Sequence, residues 1–159
     1  MTIELNQSIP SSNVKVVKGG EVADVDTGEF FAAGKTVLFG LPGAFTPTCS
    51  AAHLPGYVVK ADEIIAKGVK QIVCMSVNDA FVMKAWGEAS NAEEIVMLAD
   101  GNADFSKALG LDFDVSAAGM GTRCKRFAAI IEDGKVSQLF IEEPKQFEVS
   151  SAEYILEKL

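Results

Sequence analysis

The chain contains few of the residues that build metal, disulfide and membrane sites. It has one histidine, and its three cysteines, Cys49, Cys74 and Cys124, form no Cys-x-x-Cys pair. This spacing argues against structural zinc, and we expect no metal or other cofactor. No apolar run approaches the roughly 20 residues that cross a bilayer, and the start, MTIELNQSIP, lacks the pattern of a secretory signal. The sequence therefore predicts a cytoplasmic protein with mostly reduced thiols.

Positive charge is also scarce. The chain has 14 basic and 22 acidic residues, which gives a net charge of −8 at pH 7. Nucleic acids and anionic membranes would be repelled on average, so neither is expected as a partner. With 48% apolar and 23% charged residues, the composition is that of a globular protein. Its length predicts one domain, residues 1–159, with a sizeable core.

Short apolar segments alternate with helical patterns from residue 36 onward. Strands are predicted at 36–41, 69–77 and 94–100, followed by a hairpin over 126–143 whose Asp-Gly turn favours a tight reversal. Helices are predicted at 50–67, 79–89, 104–109 and 151–158, with Asn78 or Asp79 as a cap. This order indicates an α/β protein, a central mixed β-sheet flanked by helices.

The segment LPGAFTPTCS, residues 41–50, follows a predicted strand and begins a helix. Open α/β sheets hold their active sites at this edge. Thr46 is a good N-cap and Pro47 suits the first helical position, which places Cys49 in the first turn. Unpaired N–H groups and the helix dipole would stabilise a thiolate there, and the Thr46 side chain could turn toward it. A buried structural cysteine remains the alternative.

A thiolate that attacks oxygen needs a fixed cation to stabilise charge on the leaving oxygen atom. The basic stretch TRCKRF, residues 122–127, leads into a predicted strand. Arg126 stands directly before that strand and could point into the crevice. The alternative is an ordinary solvated charge at the edge of the sheet.

Together these segments resemble the peroxiredoxins, specifically the type II branch that includes peroxiredoxin 5. PGAFTPTCS followed by HLPGY carries the resemblance, and CMSVNDAFVMKAW, ADGNADFSKALGL and GTRCKRFAAIIEDGKV extend it over nearly the whole chain. Pro42, Thr46 and Cys49 match the family pattern Pro-x-x-x-Thr-x-x-Cys. The resemblance implies a thioredoxin fold and reduction of hydrogen peroxide and alkyl hydroperoxides through a cysteine sulfenic acid, without metal, haem or flavin.

The resemblance also assigns roles to individual residues. Cys49 would be the peroxidatic cysteine, and Thr46 would orient the peroxide. Pro42 would shield the site from water, and Arg126 would polarise the peroxide. The backbone N–H groups of Cys49 and Thr48 would hold the peroxide oxygens.

The sequence does not identify the thiol that resolves the sulfenic acid. No cysteine follows Cys124, so a resolving cysteine beyond the last strand, found in some relatives, is missing. Cys74 stands where plant type II relatives also carry a cysteine, but its place in a predicted strand favours a structural role. Cys124 is interpreted as an incidental surface thiol. The preferred hypothesis is an external reductant, glutathione with glutaredoxin or else thioredoxin.

His53 lies four residues after Cys49 and could share its helix face. Such a pair would suit a thiol hydrolase or acyltransferase. Type II relatives commonly carry this histidine without using it as the base, so a packing or hydrogen-bonding role is preferred.

Aromatic side chains beside the site offer a further interpretation. Phe45 is a candidate for contact with substrate, and Phe45 and Phe81 are candidates for a dimer contact, since compact homodimers are typical of this branch. The rival function is a non-catalytic redox sensor or binding protein on the same scaffold. The intact set of Pro42, Thr46, Cys49 and Arg126 favours the enzyme.

Overall fold

The computed structural model describes residues 1–159. Its nine strands are β1 (Asn13–Lys18), β2 (Glu21–Asp26), β3 (Lys35–Gly40), β4 (Gln71–Ser76), β5 (Val96–Ala99), β6 (Asp112–Asp114), β7 (Thr122–Cys124), β8 (Phe127–Glu132) and β9 (Lys135–Ile141). Seven of them form one sheet in the order β2-β1-β5-β4-β3-β8-β9, and β6 pairs with β7 alone.

Five α-helices accompany the sheet: α1 (Thr27–Phe30), α2 (Leu54–Ala66), α3 (Ala80–Ala89), α4 (Asp104–Leu109) and α5 (Ala152–Lys158). A π turn, Cys49–His53, runs directly into α2, and a short 3-10 helix covers Ser116–Ala118. The Asp79 and Ser151 side chains cap α3 and α5 by accepting backbone N–H bonds. None of these helices combines the length and apolar character needed to cross a membrane.

The sheet is mixed, as the sequence predicts. β3, β4 and β5 run parallel, whereas β8 is antiparallel to β3 and to β9. The β8–β9 hairpin turns at Asp133 and Gly134, both with positive φ, which is the turn that an Asp-Gly pair favours. The predicted α/β fold class is confirmed.

Helices cover both faces of the sheet, and the alternation of side chains along each strand explains how. Val37 and Phe39 of β3 belong to a core with residues of α2, α3 and α5. Leu38, between them, belongs to a second core with residues of α4. Because β3 and β4 are buried on both faces, they read as continuous apolar runs in the sequence.

The hairpin of β1 and β2 was not predicted. Its turn is Gly19–Gly20, both with positive φ, and β1 pairs on its other side with β5. β2 forms one edge of the sheet, and none of its residues is buried. An exposed edge strand needs no regular alternation of apolar and polar residues, so the usual strand signal is weak there.

The predicted helix over 50–67 is divided in the structure. The Leu54 N–H donates to the Cys49 carbonyl, five residues earlier, which defines the π turn. Pro55 has no N–H and cannot bond the carbonyl of Ala51, four residues before it. The widened turn accommodates this missing bond, and turns of this type are frequent at functional sites.

Candidate active site

Cys49 is the first residue of the π turn and its side chain is buried. The Ser50 N–H donates to the Thr46 carbonyl at 2.9 Å. Thr46 is therefore the last residue before the helical segment, and Cys49 lies in its first turn, as predicted. The N–H groups of Thr48 and Cys49 have no acceptor within the protein, so both can donate to a bound ligand.

The Thr46 side chain accepts no backbone N–H of this turn, which corrects the prediction of a side-chain N-cap. Its hydroxyl donates instead to the Gly43 carbonyl at 2.6 Å. Bonding of a threonine hydroxyl to a nearby backbone carbonyl competes with capping. Because the single hydroxyl proton is used, the Thr46 oxygen can act toward a ligand only as an acceptor.

The structure brings Arg126 to Cys49 from a position directly before β8. Nη2 of Arg126 donates to Sγ of Cys49 at 3.1 Å, and Nη1 donates to Nδ1 of His53 at 2.7 Å. The guanidinium carbon also lies 5.8 Å from the centre of the Phe147 ring. Arg126 is partly buried and bonded on two sides, so it is not an ordinary surface charge.

His53 is buried, and its bonds identify its proton. Nε2 lies 3.0 Å from the Ser150 carbonyl oxygen, and because a carbonyl only accepts, Nε2 must carry the hydrogen. Nδ1 is then free to accept from Arg126. Burial, and secondly the charge of Arg126, lower the pKa of His53 to about 3. A neutral histidine whose free nitrogen is occupied by arginine does not form a Cys–His pair, and the preferred hydrogen-bonding role agrees with this geometry.

Two side chains outside the family pattern hold the segment that precedes Cys49. Nη1 of Arg123 donates to the Pro42 carbonyl at 3.2 Å. Oδ1 of Asn78 accepts from the Ala44 N–H at 2.9 Å. Asn78 thus supports the 42–46 segment, whereas Asp79 caps α3. Pro42 itself is half-buried beside the site.

Two phenylalanines near the site are exposed. Phe45 is 57% exposed, has a positive φ of 63°, and places its ring 6.5 Å from that of Trp86. Phe81, in the first turn of α3, is 87% exposed. Thr48 is also exposed. Phe45, four residues before Cys49, and Phe81, in α3, therefore each expose a large apolar side chain.

The other two thiols are buried. Cys74 lies inside β4 between β3 and β5, and Cys124 ends β7 and donates to the Lys125 carbonyl. The prediction that Cys124 is a surface thiol is wrong, because β7 lies over the end of β3 and brings the sulfur against Gly40. Burial raises the pKa of both thiols. All three cysteines are free.

Residues near the C-terminus complete the surroundings of Arg126, and the sequence did not indicate them. Tyr57 and His53 both bond the Ser150 carbonyl. Glu142 holds the loop that contains Ser150 through four hydrogen bonds to one carboxylate oxygen.

No group of three or more His, Cys, Asp or Glu side chains is arranged to hold a metal ion.

The chain is similar in sequence to known peroxiredoxins. The Redoxin family matches residues 4–156. Peroxiredoxin-2B of Arabidopsis thaliana is 42% identical over 159 residues, which cover 99% of this chain and 98% of the relative. The chain is a type II peroxiredoxin of the redoxin family. The predicted family is thereby confirmed.

Solved peroxiredoxin structures share the fold closely. The reduced Prx3 of Vibrio vulnificus in complex with H₂O₂ is 54% identical, with a TM-score of 0.94 and 99% coverage of each chain. The Plasmodium falciparum antioxidant protein, a 1-Cys peroxiredoxin, is 31% identical, with a TM-score of 0.92 and 98% coverage of each chain. The thioredoxin fold is confirmed, and this peroxiredoxin is a thiol-dependent peroxidase, an antioxidant oxidoreductase.

Proposed function

We propose that Cys49 is the peroxidatic cysteine and that it reduces hydrogen peroxide and alkyl hydroperoxides. The observation that carries this proposal is the 3.1 Å contact between Nη2 of Arg126 and Sγ of Cys49. A cation against the sulfur stabilises the thiolate, which is the reactive form. The unpaired N–H groups of Thr48 and Cys49 beside it provide donors for an oxygen ligand. The H₂O₂ complex of the Vibrio vulnificus relative supports the choice of substrate.

The reaction follows from these groups. The Cys49 thiolate attacks the terminal peroxide oxygen, the S–O bond forms and the O–O bond breaks. The sulfur supplies the electron pair, so cysteine becomes a sulfenic acid while the other oxygen leaves as hydroxide or alkoxide and takes a proton from solvent. Arg126 stabilises the negative charge on the leaving oxygen. Thr46 accepts the hydrogen of the peroxide, Thr48 donates its N–H, and Pro42 limits access of water.

An external thiol then restores Cys49, in our proposal. It condenses with the sulfenic acid to a mixed disulfide and water, and a second thiol releases the cysteine. The burial of Cys74 and Cys124, which raises the pKa of each, supports this route over an internal disulfide. The 1-Cys description of the Plasmodium falciparum relative is consistent with it. Glutathione with glutaredoxin is the preferred reductant and thioredoxin the second candidate; a cytoplasmic location stays a prediction.

Mass spectrometry after oxidation tests the proposal. With one equivalent of hydrogen peroxide, we expect sulfenic acid on Cys49 alone and no internal disulfide. C74S and C124S should each keep turnover with glutathione and glutaredoxin within about twofold of wild type. A Cys49–Cys74 or Cys49–Cys124 disulfide would replace the external resolving step and leave the peroxidatic role intact. Oxidation that spares Cys49 would overturn the peroxidatic role itself.

We further propose that two copies associate through the surface of Phe45 and Phe81. Both side chains are large, apolar and exposed, and large apolar side chains grouped at a surface often mark an interface. Phe81→Asp should shift the protein from dimer to monomer in sedimentation velocity at micromolar concentration, because it places a charge in the interface. Val22→Asp, an equivalent change on the exposed β2, should leave the dimer unchanged. A monomeric wild type would contradict the proposal.

A further inference from the structure

Glu142 folds the loop that follows β9. Its backbone N–H donates to the Arg126 carbonyl at 3.0 Å. Its Oε2 accepts from the N–H groups of Glu148, Val149 and Ser150 at 2.7, 2.9 and 2.9 Å. The Ser150 hydroxyl donates to the same oxygen at 2.7 Å. One carboxylate oxygen therefore fixes the 142–150 loop at its far end, through charge-assisted bonds that are stronger than neutral ones.

The fixed loop presents one backbone oxygen to the helix that carries Cys49. The Ser150 carbonyl accepts from Nε2 of His53 at 3.0 Å and from the Tyr57 hydroxyl at 2.8 Å. Ser150 is fully buried, and its carbonyl oxygen has two lone pairs, both of which are used. This carbonyl therefore keeps the hydrogen of the histidine ring on Nε2.

The tautomer of His53 decides where Arg126 points. A guanidinium is a planar fork whose donors have fixed relative directions. With Nη1 bonded to the bare Nδ1 of His53 at 2.7 Å, Nη2 is directed at Sγ of Cys49. The other tautomer would place an N–H against the guanidinium N–H groups and turn the fork away from the sulfur.

We propose that Glu142 is a positioning residue for the peroxidase reaction. Its carboxylate, acting through the Ser150 carbonyl, fixes the tautomer of His53 and so holds Arg126 on Cys49. Glu142 itself contacts Arg126 only through the backbone, and its carboxylate bonds none of the reacting atoms. The inference rests on the proposed role of Cys49, and its tests separate the two.

Nuclear magnetic resonance of the imidazole nitrogens reports the tautomer of His53 and needs no activity assay. The signals are unambiguous because His53 is the only histidine of the chain. Wild type should show the neutral Nε2–H tautomer down to about pH 4, because the pKa of His53 is about 3. In Glu142→Ala the released loop should admit water, populate both tautomers and move the titration toward the ordinary value. Glu142→Gln, whose amide oxygen still accepts from the loop, should restore part of the wild-type signal. An unchanged tautomer and titration in Glu142→Ala would overturn the inference.

A double-mutant cycle tests whether Glu142 acts through Arg126. The observable is the rate constant for oxidation by hydrogen peroxide, followed by Trp86 fluorescence. Glu142→Ala should lower this constant about tenfold in wild type, since small displacements of a catalytic group have effects of this size. In Arg126→Ala it should lower the constant less than about twofold. Glu143→Ala removes an exposed carboxylate one residue away and should have no effect.

If Glu142→Ala lowered the oxidation rate constant by the same factor in wild type and in Arg126→Ala, Glu142 would act only on the structure, and the inference would be overturned. A wild type that is not oxidised at Cys49 would defeat the proposed function, while the tautomer measurement would still test the arrangement of Glu142 and His53.

Two substitutions of His53 separate the roles of its ring nitrogens, Nδ1, which accepts from Arg126, and Nε2, which donates to Ser150. Asparagine can place its carbonyl oxygen near the position of Nδ1 and accept from Arg126, whereas glutamine can place its amide N–H near Nε2 and bond Ser150. His53→Asn should keep the rate within about threefold of wild type and His53→Gln should lower it about tenfold. The reverse order would show that the bond to Arg126 is not what matters, and would overturn the inference.

Discussion

Replacing Cys49 by serine is expected to lower the rate constant for reaction with hydrogen peroxide by at least about 10³-fold, because the nucleophile is removed. A serine hydroxyl is not ionised near neutral pH. The two remaining thiols cannot replace it, since burial raises the pKa of both Cys74 and Cys124. Rapid mixing with Trp86 fluorescence measures the effect, because the Trp86 indole N–H bonds the Ser50 hydroxyl, one residue from Cys49.

Cys124→Ser is the matched control for this experiment. It makes the same chemical change at a thiol that is buried and bonded to a backbone carbonyl. Its rate constant should stay within about threefold of wild type. If Cys49→Ser retained fast oxidation and Cys124→Ser lost it, the nucleophile would be Cys124, and the interpretation of the 41–50 segment would be wrong.

Arg126→Ala is expected to lower the same rate constant by about 10² to 10³, the loss that follows removal of a donor aimed at developing charge. The substitution removes both the contact with Sγ of Cys49 and the positive charge near the leaving oxygen. Arg126→Lys should recover only part of the rate. Lysine restores a charge but has no planar fork with which to bond His53 and Cys49 together.

Lys125→Ala serves as the control for charge alone. It removes one positive charge next to Arg126 in the sequence. Its rate constant should change less than about threefold, because the Lys125 side chain forms none of the ion pairs of the protein. Equal losses in Lys125→Ala and Arg126→Ala would mean that the general field, and not the fork of Arg126, supports the reaction. Stopped-flow traces at two ionic strengths distinguish these cases, since only the general field is strongly screened by salt.

The central sheet was predictable because its strands are buried on both faces. β3 and β4 read as uninterrupted apolar runs, and the Asp133–Gly134 turn marked the final hairpin. The β6–β7 pair was missed, since its two strands have three residues each and carry little periodicity. The π turn was also missed, although Pro55 gave a physical reason to expect an interruption.

The part of the site formed by one continuous segment was predictable from the sequence. Thr46, Pro47 and Cys49 lie together in the sequence, so the start of the helix follows from local preferences. The contact between Arg126 and Cys49 joins residues 77 positions apart. Its place before a predicted strand made Arg126 a candidate cation, and the family resemblance then assigned it to the site. Glu142 had no signal at all, because its role depends on where the tertiary structure places the backbone N–H groups that it binds.

The outer strand β2 bears on whether two copies of this chain can pair edge to edge. A sheet ends in unpaired backbone groups, and a matching strand from another molecule could extend it into a fibril. The outermost strand here carries Glu21, Asp24 and Asp26, all outside the core. Two such edges approaching one another would bring carboxylates face to face, which opposes strand pairing. The acidic residues of β2 therefore oppose pairing of two copies of this chain through that edge of the sheet.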